Sequence, residues 1–188
     1  MMKTWTIKLA LAISFAMLVL STNANAQDND GCSDATLKGD YAFTVNGTIW
    51  VGPNNSIPVL RGGIAMTHFN GMGGLSQVDF VLSGANAPAP TGALLVPPTD
   101  KTTGFHNDET GTYTVYPDCT GTFTINDPDF VGTDIPGPVI TVNFVLSDGG
   151  RSIHTVVTSL VAPGPKGPAE VPALIQSEGR KLGRLESW

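Results

Sequence analysis

Apolar and polar residues alternate along most of this chain. From Tyr41 to Val51, Tyr41, Phe43, Val45, Ile49 and Val51 share one parity, and Thr44, Asn46 and Thr48 share the other. A period of two is the mark of a strand with one buried face. The pattern recurs in Pro58–Phe69, Leu75–Leu82, either side of Tyr116-Pro117-Asp118-Cys119, in Val139–Leu146 and in Ile153–Val161. In Leu75–Leu82, Val78, Phe80 and Leu82 share one face, and Gln77 and Asp79 the other.

Turn signals punctuate these runs. Asn70-Gly71-Met72-Gly73-Gly74 and Ser147-Asp148-Gly149-Gly150 supply the positive-φ positions of tight hairpins. Ser83–Pro98 contains Ala87-Pro88-Ala89-Pro90 and Pro97-Pro98, which cannot donate to a sheet, and reads as a long loop. Asn126–Gly137 is a second loop, rich in Asp, Pro and Gly. No stretch past the N-terminus keeps a helical period. The expectation is all-β: seven to nine strands, mostly antiparallel, forming a barrel of about eight strands or a β-sandwich.

The N-terminus follows another grammar. Lys3 and Lys8 precede an apolar run, Leu9–Leu20, and a small-residue site, Ala24-Asn25-Ala26. That predicts a signal peptide over 1–26, cleaved before Gln27, and a secreted protein, periplasmic or extracellular. The barrel domain is then 27–164. Residues 165–188 form a C-terminal segment, either a last strand or a tail, whose Glu178, Arg180 and Lys181 would blunt an exposed edge.

Cleavage of 26 residues from 188 leaves 162, enough for one domain with a real core. It removes two lysines and no acid, so the formal charge moves from −6 to −8. An acidic body of this kind disfavours nucleic acid and anionic membrane surfaces as partners. No later run is long and apolar enough for a membrane-spanning helix, so none is expected after cleavage. Cys32 and Cys119 are the only cysteines. In an oxidising compartment they are expected to pair, tying the mature N-terminus to the start of a strand. Free thiols or metal ligands are the other reading, with no CxxC or Cys/His cluster to favour it.

Three pieces taken in order carry a family resemblance. They are Cys32-Ser33 with Leu37-Lys38-Gly39-Asp40-Tyr41-Ala42-Phe43; Phe69-Asn70-Gly71-Met72-Gly73; and Gly111-Thr112-Tyr113-Thr114-Val115 with Asp118-Cys119-Thr120-Gly121-Thr122. Together they resemble a group of uncharacterised bacterial secreted proteins similar to the allene oxide cyclase-like branch of the calycin β-barrels. The resemblance runs from Cys32 to about Leu160 and implies an eight-stranded barrel. The chain departs from it at Asn70, where the group carries an acid, and in its Pro-rich loops. No catalytic residue is carried across.

Candidate chemistry is sparse. There is no G-x-S-x-G elbow. His68 shares parity with Ile64 and Met66, and His154 with Val156 and Leu160, so both are candidates for an inward-facing proton or metal site. Their spacing matches no metal motif, and neither a metal nor any other cofactor is expected. His106 and Glu109 should point to opposite faces of a strand. Asp127, Asp129 and Asp134 read as turn formers rather than a calcium loop. Asp79 would be an acid–base group if its face lines the barrel, and a solubilising charge if that face is solvated. The solvated reading is the expected one, because the opposite face is more apolar. Phe43, Trp50, Tyr113 and Phe144 are candidate linings of a pocket for a small apolar ligand. The function expected is a small binding or structural module; the alternative is a cyclase- or isomerase-like enzyme acting inside the barrel.

Overall fold

The computed structural model describes residues 31–83, 105–128, 137–164 and 166–183. The predicted signal peptide, most of the Pro-rich loop, and Asp129 and Asp134 lie outside them. Nine strands occur among the described residues: β1 Lys38–Val51, β2 Ile57–Asn70, β3 Gly74–Ser83, β4 His106–Val115, β5 Thr120–Asn126, β6 Val139–Ser147, β7 Ser152–Ala162, β8 Ala169–Glu170 and β9 Ala173–Lys181. Helix is limited there to two three-residue 3-10 turns, Pro53–Asn55 and Asp148–Gly150.

Every pairing is antiparallel. Strands β1 to β7 pair in chain order, and β9 then lies between β7 and β1. These eight strands close a barrel; the two-residue β8 only clips onto the end of β7. A closed barrel leaves no free edge among its strands, so Glu178, Arg180 and Lys181 do not guard an edge. They sit in a strand hydrogen-bonded on both sides.

Alternation sets the inward faces as the sequence suggests for β1, where Tyr41, Phe43, Ile49 and Val51 are all buried. In β2 and β3 the outcome is the reverse of expectation. The inward set is Val59, Ala65, Thr67 and Phe69 in β2, and Leu75, Gln77 and Asp79 in β3. Ile64, Met66 and Leu82 face out and are about half exposed or more. Register forces this. Tyr41 pairs with Thr67, and Thr67 with Gln77, so once Tyr41 points inward its cross-strand partners must follow. Both faces of β2 and β3 carry apolar residues, so apolarity alone could not choose between them.

The two ends of the barrel differ. One end gathers the tight turns after β2, β4 and β6. It is filled by a plug from the N-terminal segment, whose Leu37 is wholly buried. Phe69 sits at its centre with edge-on ring contacts to Tyr41 (5.5 Å) and Tyr113 (5.1 Å). The Tyr113 hydroxyl donates to the carbonyls of Asp34 and Leu37 and accepts from the Gly71 N–H, while Asp34 Oδ1 accepts from the Val115 N–H. Gly71 and Gly73 turn with φ of 83° and 89°, which a side chain would resist. Asn70 caps that turn, accepting from the N–H groups of Met72 and Gly74.

Cys32 and Cys119 form a disulfide at this end, with Cα atoms 4.9 Å apart. Tyr116–Cys119 is a turn closed by Cys119 N–H to Tyr116 O, ending in a left-handed Cys119 (φ 64°). The bridge therefore staples the N-terminal plug to the β4–β5 hairpin, and Cys32 N–H also donates to Pro117 O.

Candidate functional site

Between the packed core and a smaller apolar cluster of Ile49, Val51 and Val59 toward the other end, the interior is not filled. A cavity of about 190 Å³ opens there, walled by Phe43, Val45, Ile125, Val142, Val157 and Leu160. Nine polar side chains also line it: Arg61, Thr67, Gln77, Asp79, His106, Glu109 and Asp127, with the hydroxyls of Thr155 and Ser177.

A β-bulge assembles the polar side. Gln77 pairs with Glu109, but Asp79, two residues on, pairs with His106, three residues back. The extra residue falls in β4, where Asn107 and Asp108 are both exposed in succession. That break in alternation turns His106 onto the same inner face as Glu109. The expectation that His106 and Glu109 point apart is corrected by this one inserted residue.

The polar groups form two linked sets. Thr67 Oγ1 donates to Gln77 Oε1 (2.8 Å), and Gln77 Nε2 donates to Glu109 Oε2 (2.7 Å). This fixes the amide's orientation and delivers a donor to the buried carboxyl. Beside it, His106 Nδ1 lies 3.4 Å from Asp79 Oδ1. The contact is close enough for charge attraction but lacks hydrogen-bond geometry, so Oδ1 is buried with no hydrogen-bond partner among the described residues. Arg61 reaches the rim, donating from Nη1 to Ser83 Oγ (2.6 Å).

Burial dominates the electrostatics. It pushes the Asp79 carboxyl up to about 6, with His106 pulling the other way. Glu109 is pushed up to about 9 by burial first and by the Asp79 charge next, against the Gln77 hydrogen bond. Asp127 is likewise raised to about 6 by burial. The same desolvation lowers the Arg61 guanidinium from its usual value. Near neutral pH the cavity thus presents carboxyl groups in both protonation states within one apolar wall.

The sequence candidates divide as follows. Asp79 faces the cavity, against the solvated reading, for the register reason given above. His68 and His154 lie on the outside with about half of each side chain exposed, beside Asp40 and Glu178 respectively. Parity placed them with Ile64, Met66, Val156 and Leu160; Ile64, Met66 and Val156 face outward with them, whereas Leu160, beyond a register shift in the β6–β7 pairing, lines the cavity. Phe43 lines the cavity. Tyr113 and Phe144 point inward but belong to the packed core at the stapled end. Trp50 is on the outward parity of β1. Asp127, read as a turn former, is buried and turned toward the cavity, its N–H bonded to Pro138 O.

Sequence reasoning missed His106, Glu109 and Arg61 as a group. The adjacent polar pair Asn107-Asp108 is the single local trace of the bulge. Compared with known proteins, the chain matches no family model, no curated protein and no solved structure.

Proposed function

We propose that this protein is secreted and that its barrel binds a small, mainly apolar molecule carrying one polar group. The observation behind the reading is the unfilled cavity, with apolar walls on most sides and Asp79, His106 and Glu109 converging on one side. Its size bounds the ligand. An apolar cavity of about 150 Å³ accommodates a benzene ring, and drug-sized ligands need roughly 300–1,000 Å³. A volume of about 190 Å³ suits one ring or a short branched chain with a hydroxyl or carbonyl. The neutral Glu109 carboxyl would donate to such an oxygen, and Asp79 would accept from such a hydroxyl. The disulfide and the N-terminal leader pattern support export.

Mass spectrometry of the natively purified protein tests this. A copurifying molecule of that class is expected, and Ala65→Leu, which fills part of the cavity, should abolish its retention. Absence of any copurified molecule, together with no melting shift from simple phenols and monocyclic alcohols, would sink the proposal.

A second reading is an isomerase- or cyclase-like enzyme. It is favoured by the imidazole and carboxylate held 3.4 Å apart in an apolar wall, groups able to take and return a proton at a bound substrate. Rearrangement of the copurified molecule by fresh protein, lost in Asp79→Asn, is its test.

A further inference from the structure

We propose that Asp79, His106 and Glu109 form a binding site for one divalent transition-metal ion of the Zn²⁺ class, held inside the barrel with a coordination position open to the cavity. One donor atom from each of the three residues lies within 4.8 Å of the other two. Among the described residues this is the one place where three such groups converge. The ligand set, one imidazole nitrogen and two carboxylates, is the N/O chemistry Zn²⁺ accepts, with the fourth tetrahedral position left for water or a ligand oxygen.

The geometry is already partly set. Two ligand atoms each about 2.0–2.1 Å from a tetrahedral ion stand ~3.4 Å apart, and Asp79 Oδ1 and His106 Nδ1 are 3.4 Å apart. Closing the remaining edges asks Glu109 to move in by at most ~1.4 Å, within the reach of its three side-chain torsions.

Two further observations point to a cation rather than to a packing accident. Asp79 is about nine-tenths buried, and its Oδ1 has no hydrogen-bond partner among the described residues although it is aimed at the imidazole. A buried carboxylate oxygen without a partner is costly, and a metal ion is the partner that the position best suits. Glu109, in turn, is oriented from behind by Gln77, which Thr67 holds in place. Carboxylate ligands in metal sites are typically held by such outer hydrogen bonds. The two exposed histidines each meet one acid, Asp40 or Glu178, and no third ligand joins either pair among the described residues.

The test uses the full natively purified protein, stripped with chelator and dialysed against Zn²⁺, with bound metal counted by plasma mass spectrometry. One equivalent is expected. His106→Gln and Glu109→Gln should each weaken uptake at least tenfold, and Gln77→Leu by ~10–100-fold. The double variant His68→Gln/His154→Gln should bind as the parent does. Co²⁺ titration of the unaltered protein guards against misfolded variants, since a four-coordinate N/O site gives visible bands. No stoichiometric uptake, no Co²⁺ bands, or uptake lost with the exposed histidines instead of His106 would each overturn the proposal. Metal binding would ionise Glu109 and replace the donor role given to it above, but the two tests are read separately: failure of metal uptake leaves the apolar cavity intact, and absence of a copurified molecule leaves the metal site intact.

Discussion

The stapled end and the cavity end of this barrel use the same strands for opposite purposes. At the stapled end the inward residues pack into one buried cluster. Phe69 is clasped by two tyrosine rings, and those tyrosines direct their hydroxyls to backbone carbonyls. At the cavity end, three acids and an arginine enter an apolar interior, and one carboxylate oxygen stays unpartnered. Polar groups gathered at a cost to stability are the usual mark of a site. The difference teaches that packing and chemistry sit at different heights along the barrel axis: the plug, rings and disulfide hold one end, and the buried polar groups occupy the part left unfilled.

The largest effect that would break this comparison is loss of the bridge. Cys32→Ser/Cys119→Ser opens an 87-residue loop, which in the chain-entropy picture costs about 4–5 kcal/mol. Chemical denaturation should show it, and a loss below about 1 kcal/mol would deny the stapled end its role. Phe69→Ala comes next. The side chain is fully buried among three aromatic rings, so a loss of about 3–5 kcal/mol is expected. Phe43→Ala, at the cavity wall, should cost clearly less because its neighbours already border empty space; equal losses would erase the distinction.

The cavity end should reveal itself through pH. Asp79, Asp127 and Glu109 all titrate higher in the folded protein than in the unfolded chain. The folded state therefore holds more protons above about pH 4, and stability must fall as pH rises through the raised values near 6 and 9. For Asp79 alone this amounts to roughly 2–3 kcal/mol. Melting of chelator-treated protein should drop from pH 5 to pH 9, and Asp79→Asn should flatten the lower part of that slope. A melting temperature constant over that range would mean the acids are solvated. The smallest effect concerns the outer surface. The exposed His68–Asp40 contact at 2.8 Å should contribute at most about 0.5 kcal/mol, so Asp40→Asn should leave the denaturation midpoint nearly unchanged.

Much of the architecture was legible along the chain. Alternation, hairpin turns and the absence of helical periods announce an antiparallel β-protein, and two cysteines allow only one intramolecular bridge. These are local properties: a period of two, a glycine at positive φ, a proline without an N–H. Closure through β9 was not legible, because a strand's partner is not written in the strand itself.

The site was decided by tertiary structure alone. Which parity of β2 and β3 faced inward followed from register with β1. His106 joined Glu109 through a bulge defined only by pairing with β3. Tyr113 and Phe144 share inward parity with Phe43 yet miss the cavity, because height along the barrel separates packed core from open space. Sequence period tells which residues lie on a common face; only the pairing of strands tells where that face points and what it meets there.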